Sequence, residues 1–318
     1  MNRIFKNNRI DLFWWSITPE HLEGLLKDEN IEFYLNERSA LHYIGFNVRK
    51  RPFSDINFRR AVATLIDKDY IITKLLNYNA VKMYSIVPPG NTFWYNADVP
   101  KYGEGLSREA RLRRAYEILK KAGYTWEVPP VDINGNLGEG KGIILPDGSL
   151  MKEFTILTPT LDYGPQRAAI GMTIAKWLKI MGIPARVKPM EFGSLIQQVK
   201  DRHQFDLFVL GYGKLSLDPD YLRTFFHSRN DKLSGWNMSG YKNPYYDRIS
   251  DESASAMNIE RRKKLVWNMQ NIIMQDVPYY PLYNPKMIEG VRKDRFRGWV
   301  EMLGGIGNMW SFCQIRPK

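Results

Sequence analysis

The sequence predicts an α/β protein, and three observations carry that prediction. Between residues 154 and 210, short apolar runs alternate with helical periodicity in the order β-α-β-α-β. Those runs are apolar at nearly every position, as strands covered on both faces are. Of the 318 residues 44% are hydrophobic, enough for sizeable cores in a chain with room for two lobes. Strands alternating with helices imply parallel pairing through right-handed crossovers.

Taken in order, residues 9–17 read as a strand leaving through Trp14-Trp15-Ser16, after which Thr18-Pro19-Glu20 starts a helix to about Lys27. Ile31 to Leu35 and Leu41 to Asn47 are expected to pair with each other as strands. Asp55 to Ile66 and Asp67 to Leu76 have the spacing of two amphipathic helices. Asn91 to Asn96 follows Val87-Pro88-Pro89-Gly90 as an aromatic loop whose rings need a core or a ligand. Ser107 to Ala122 is a basic helix closed by Gly123, and residues 128–148 form a surface excursion rich in Gly, Pro, Asn and Asp. Its "GNLGEGKG" has neither phosphate-loop spacing, and no helix is expected after it. The alternating region then places strands at Phe154 to Leu157, Pro184 to Pro189 and Phe205 to Leu210, with helices at Gln166 to Met181 and Phe192 to Asp201. Beyond Trp236-Asn237 and the loop "GYKNPYYD" comes a helix from about Ile259 to Gln275, then the apolar segment "VPYYPLYNP" and an irregular tail.

A candidate binding site follows from where such strands end. Ligands of open α/β sheets sit beyond the carboxyl ends of the strands, and here the strand in "QFDLFVLGYGKLSLDPDYLRTFF" empties into Gly211-Tyr212-Gly213 and an Asp218-Pro219-Asp220 loop. "RIDLFWWSITPEHLEGLL" repeats the pattern in small: an Asp-Leu-Phe strand, an aromatic exit and a Pro-started helix. Two such exits facing each other make an aromatic cleft, which nominates Trp14, Trp15, Tyr212 and Trp236, with Trp94 and Trp310 as further candidates and Asn91 and Asn237 as polar partners.

Chemistry is not indicated. Nothing supplies a nucleophile with a base, a metal set or a paired-carboxylate signature, so no enzyme activity and no cofactor are expected. The four histidines lack ligand spacing, and the single cysteine, Cys313, excludes an internal disulfide. The net charge of +12 sits mostly on helices where Glu interleaves with Lys and Arg, as on solvated faces. A basic nucleic-acid module is therefore the weaker reading, because no basic residues interleave with the exit aromatics.

The stretches "YIGFNVRKRPFSDINFRRAVATLIDKDYI", "IVPPG", "AYEILKKAGY", "FDLFVLGYGKLSLDPD", "YKNPYYDRI" and "RRKKLVWNMQNIIMQDVPYYPLY" together resemble the extracytoplasmic solute-binding proteins of ABC importers, family 5, which includes oligopeptide-, dipeptide-, nickel- and oligosaccharide-binding members. They cover most of residues 41–283 in the family's order. The resemblance implies a type II periplasmic-binding-protein-like fold with two lobes and a hinge. Residues 47–296 look like the large C-terminal lobe, and residues 1–46 and 297–318 like parts of a first lobe that is incomplete. It also implies a monomer outside the cytoplasm, anchored to the membrane or not through a missing N-terminal segment, that closes its lobes over a small ligand and delivers it to a membrane permease.

In peptide-binding members an Asp three residues ahead of the Asp-Pro pair receives the ligand's α-amino group. That position here is Leu215. With the amine anchor gone, and with nine Trp and eighteen Tyr to stack on sugar rings, the expected ligand is an oligosaccharide, with an oligopeptide as the alternative. Asp218 and Asp220 are the acids nearest in sequence that could replace the anchor.

Overall fold

A computed structural model describes residues 9–14, 16–17 and 19–318. Its strands are β1 (Leu12–Phe13), β2 (Ile31–Glu37), β3 (Leu41–Phe46), β4 (Ala80–Lys82), β5 (Thr125–Val128), β6 (Lys141–Ile144), β7 (Phe154–Pro159), β8 (Ala185–Met190), β9 (Leu207–Tyr212), β10 (Tyr279–Arg292), β11 (Phe296–Arg297) and β12 (Arg316–Pro317). The main sheet has the order β1-β10-β3-β9-β7-β8, with β2 and β4 also paired to β10. β7 runs parallel to both β8 and β9, as the alternating pattern predicts, whereas β3 is antiparallel to β9 and to β10.

Strand alternation explains the two large cores. Ile44 and Phe46 of β3, Leu207 and Val209 of β9, and Phe154 and Ile156 of β7 face one side, under helices Ile56–Leu65, Arg108–Lys121 and Pro165–Ile180. Leu41 and Tyr43, Phe208 and Leu210, and Leu157 face the other, under Phe192–Ile196, Tyr221–Phe226, Pro244–Ser255 and Ile259–Asp276. Both faces are covered, and for that reason the strand sequences are apolar throughout. The helices begin where short polar side chains can accept from free backbone amides: Asp55 from Asn57, Asp67 from Tyr70, Ser107 from Ala110 and Asn258 from Arg261.

The expected pairing of Ile31–Leu35 with Leu41–Asn47 does not occur. β2 and β3 instead lie end to end along β10: β3 pairs with Tyr279 to Tyr283 and β2 with Lys286 to Arg292. A hairpin would need a reversal at Arg38-Ser39-Ala40, but the backbone there is claimed elsewhere, Arg38 N–H donating to the Pro285 carbonyl at 3.1 Å and the Ser39 carbonyl accepting from Leu215 N–H at 2.6 Å. The chain therefore continues forward rather than folding back. A third, smaller core of Ile17, Leu25 and Ile31 lies beside the β2 half of β10. In the surface excursion, β5 and β6 form a two-stranded antiparallel ladder.

Gly45 shows how tight the central pairing is. It sits opposite Phe208, and a Cβ there would lie 2.3 Å from the ring. Gly45→Ala is expected to destabilise the protein by about 1–3 kcal/mol through overpacking. Phe208→Leu in the same chain should recover part of that loss. Urea denaturation midpoints measure both, and an unmoved midpoint for Gly45→Ala would show that the ring yields freely.

Candidate functional site

Strand directions gather the candidate site at one edge of the sheet. β7 and β9 end there, at Thr158-Pro159-Thr160 and Gly211-Tyr212-Gly213, β3 begins there, and β10 crosses it at Tyr283 to Lys286. Past the edge stand Trp14, β2, the second half of β10 and residues 302–309. Two cavities open between these parts. The larger, about 680 Å³, is mostly apolar, with Leu215 and Leu217 on the sheet side, Met287, Met302, Leu303 and Met309 opposite, and Trp14 as a wall. The smaller, about 420 Å³, is lined by Ser16, His42, Asn77, Asn79, Gln166, Tyr283 and Lys286 among others. Arg38 borders both.

The residues nominated from sequence separate into three groups. Trp14 and Leu215 share the larger cavity. Trp14 is half-exposed and packs so closely over Gly307 that a Cβ there would come within 2.7 Å of its own. Tyr212 and Trp236 form a second group. Tyr212 stacks on Phe225 at 4.4 Å and on Tyr43 at 5.7 Å, and Trp236 lies 6.3 Å from it with the Lys200 ammonium 3.8 Å above the indole. These rings do not line the larger cavity.

The third group is committed to structure or stands apart. Trp94 is buried, its carbonyl accepting from Gln270 and its ring stacked under Arg262. Asn237 is completely buried. Its amide donates to the carbonyls of Phe226, His227 and Tyr241, while its oxygen accepts from Ser239, Gly240 and Tyr241, which leaves nothing for a ligand. Asn91 donates to the Leu217 carbonyl at 2.8 Å. Asp218 is held by both nitrogens of Arg262 at 2.7 and 2.8 Å, hydrogen bonds that keep its carboxyl below the usual range. Trp310 is exposed on helix Met309–Gln314 beside the exposed Met309 and Phe312. Trp15 lies outside the described residues.

Sequence reasoning missed Arg38, His42, Gln166, Tyr283, Met287 and residues 302–309. The pairing of β3 and β2 with β10, the helix that follows β7 and the tail segment 302–309 bring them to the two cavities, and none belongs to an aromatic exit. His42 stacks on Tyr283, ring centroids 4.4 Å apart and nearly parallel. Burial, then the guanidinium groups of Arg167 and Arg38, push its pKa down to about 3. Behind the cavities, Glu289 is wholly buried and accepts from Asn36 Nδ2 and from the backbone amides of Ile306 and Gly307. Burial pushes its carboxyl up, with those hydrogen bonds acting against it.

With this geometry established, comparison with known proteins is informative. Residues 1–233 match the family model described as bacterial extracellular solute-binding proteins, family 5 Middle. The chain belongs to that family. It is 26% identical over 279 residues to the oligopeptide-binding protein AppA of Bacillus subtilis, covering 86% of this chain and 47% of AppA. It is 24% identical over 294 residues to the dipeptide-binding protein of Escherichia coli, covering 89% and 47%. The solved structure of AppA with a nonapeptide superposes with a TM-score of 0.73 at 23% identity, over 100% of this chain and 58% of that one. The fold is therefore that of the family's binding proteins, and the chain spans about half the length of the curated relatives it matches. Neither these proteins nor the family's description points to sugar, so the oligosaccharide expectation gains no support.

Two substitutions separate structure from site. Because the folded pKa of His42 lies below the unfolded value of about 6.5, the unfolded chain takes up a proton first, and stability falls as pH drops from about 6.5 toward 3. His42→Gln should shrink the stability lost between pH 6.5 and 4 by an amount on the order of 2–3 kcal/mol. Equal acid sensitivity in wild type and variant would refute that role. Asn237→Ala should destabilise the fold by about 2–4 kcal/mol, since it orphans several buried groups, and this is read as a lowered Tm without any ligand present.

Proposed function

We propose that the protein containing this chain is the ligand-capturing component of an ABC importer and that its ligand is a peptide. Membership of family 5 carries this reading, together with the position of the cleft at the carboxyl ends of β7 and β9. Peptide is preferred to oligosaccharide because AppA and the Escherichia coli relative are named for peptides and because the aromatic groups nominated for sugar stacking are divided. Trp94 is interior, and Tyr212 with Trp236 lies away from the larger cavity.

Closure is proposed to bend where two chain passes cross between the halves among the described residues, at Arg38 to Ala40 and at Asn284-Pro285. On this proposal the lobe boundary lies before β3, which is hydrogen-bonded to β9 along its whole length, where the sequence led to an expectation of residue 46. Residues 296–318 go with the β2 side, tied to it by Gly304 N–H donating to the Glu37 carbonyl and by the Glu289 contacts. A hinge of two extended segments allows rotation with few contacts to break. The protein is proposed to act as a monomer outside the cytoplasm, whether or not anchored to the membrane, and to present its closed form to a permease, with the ATPases of that importer supplying the chemistry.

The amine anchor is proposed to be absent. Leu215 is buried in its place, and the acids nearby are occupied, Asp218 by Arg262 and Asp220 by Arg223 at 2.8 and 2.9 Å. A buried charge without a partner is costly, so a free ammonium in the apolar cavity is disfavoured.

Thermal shift of the full-length protein against a tetrapeptide library and an oligosaccharide set tests the reading. A ligand at 100 times its Kd stabilises the folded state by about 2.7 kcal/mol, and peptides are expected to give such shifts. Shifts from oligosaccharides alone would overturn the peptide assignment. In the same assay Leu215→Asp should weaken N-acetylated peptides at least tenfold relative to free-amine peptides.

A further inference from the structure

Outside both cavities, one surface patch combines exposed apolar side chains with basic ones. It is built where loop 91–96 lies on the first turns of helix Ile259–Asp276. Asn96 holds the two together, its Nδ2 donating to the Trp267 carbonyl at 3.1 Å and its backbone N–H to the Gln270 side chain at 3.0 Å. Met257, just before the helix, is 99% exposed, and Ile259 and Phe93 are 49% and 41% exposed. The Lys263 ammonium stands 4.6 Å from the centre of the Phe93 ring and 4.9 Å from that of Trp267, and the Arg262 guanidinium 5.1 Å from that of Trp94. Arg261 and Lys264 are exposed on the same turns.

The charges of this patch are only partly matched. Arg262 is paired with Asp218, and Arg248 and Arg261 share Glu252. Among the described residues Lys263 and Lys264 have no carboxylate partner, and Glu260 is the remaining acid of the patch. The patch is also tied to the rim of the larger cavity, because Asn91 donates to the Leu217 carbonyl and Arg262 grips the neighbouring Asp218, while Leu217 lines that cavity. Positive charge alone suits any anion. An acidic protein or a soluble anion would leave Met257 and Ile259 in water, whereas a lipid surface takes both kinds of group, apolar side chains into the headgroup boundary and Lys and Arg against the phosphates. We propose that this patch docks the protein on an anionic membrane surface, with Met257, Ile259 and Phe93 entering the headgroup region and Arg261, Lys263 and Lys264 facing lipid phosphates. Docked in this way, the protein holds the rim of the larger cavity beside the membrane. The inference goes beyond the ligand reading and does not depend on whether the ligand is a peptide.

The test is co-sedimentation of the full-length protein with vesicles of phosphatidylcholine alone and of phosphatidylcholine with phosphatidylglycerol, about two to one, at low ionic strength. Binding is read as the ratio between the two vesicle types, so that a lipid anchor entering both cancels. Wild type should favour the anionic vesicles roughly tenfold, since each basic residue near such a surface adds to the attraction. Replacing Lys263→Gln and Lys264→Gln together should bring the ratio below about threefold, and Met257→Asp should lower it as well. Lys264→Gln alone, at an exposed position, serves if the double variant has a lowered Tm. Lys120→Gln with Lys121→Gln removes the same charge from helix Arg108–Lys121 on the opposite face of the sheet, and should leave the ratio within about twofold of wild type. Equal binding to the two vesicle types, a ratio undiminished by the changes at Lys263 and Lys264, or one lowered as much by the changes at Lys120 and Lys121, overturns the proposal. It is also overturned if vesicles are not distinguished while the same variants weaken binding to the importer's permease in detergent, which assigns the patch to a protein partner. No solute enters the assay, so failure of the peptide reading leaves its result unchanged.

Discussion

The long strand β10 is the constraint on which the rest of the structure depends. It contributes fourteen residues, most of them buried, and pairs on its first half with β3 and β4 and on its second with β2 and β1. An extended segment of that length cannot fold back to satisfy its own amides, so both flanks must be supplied by other parts of the chain. Residues 31–46 do so by running antiparallel beside it with only a short irregularity at Arg38-Ser39-Ala40. The two halves of the molecule are thus joined by a narrow ribbon, and the cavities lie where that ribbon leaves the large sheet.

Polar chemistry at the junction is divided between groups that hold the fold and groups left unused. Glu289 belongs to the first kind: a buried carboxylate that gathers Asn36 and two backbone amides of the 305–307 turn, fixing the wall that carries Met302 to Met309. A Cβ at Gly305, where φ is +103°, would come within 2.3 Å of that carboxylate, so the turn needs glycine for both its conformation and its space. Arg38, on the same ribbon, is of the second kind. Around it the tertiary structure brings together positive charge and apolar surface, with the buried Glu289 as the acid that acts on it.

Family membership and the local departure from the family's pattern bear on different questions. The fold follows the family. Leu215, where the resemblance expects a charge partner, is buried and lines a cavity with Met287 and Trp14. The proposed absence of an amine anchor, which on sequence alone argued for sugar, is equally compatible with peptides that present no amine.

The sequence by itself determined the α/β class, the parallel β7–β9 region and its helices, because local periodicity and capping residues such as Asp55, Asp67 and Asn258 act over a few neighbours. The family resemblance led to the expectation that Leu215 stands where peptide-binding members carry an acid. The sequence could not determine that β2 and β3 pair with β10 rather than with each other, since the three connecting residues are compatible with either path until hydrogen bonds to Pro285 and Leu215 decide. Nor could it separate Asn237, whose amide is consumed inside the fold, from a polar residue open to a ligand. The cavities themselves were decided only by tertiary structure. Arg38 with His42, Gln166, and Tyr283 with Met287 come from three separate stretches of sequence and reach the two adjoining cavities because strand register and the helix after β7 place them there, and register is set by packing on both faces of the sheet at once.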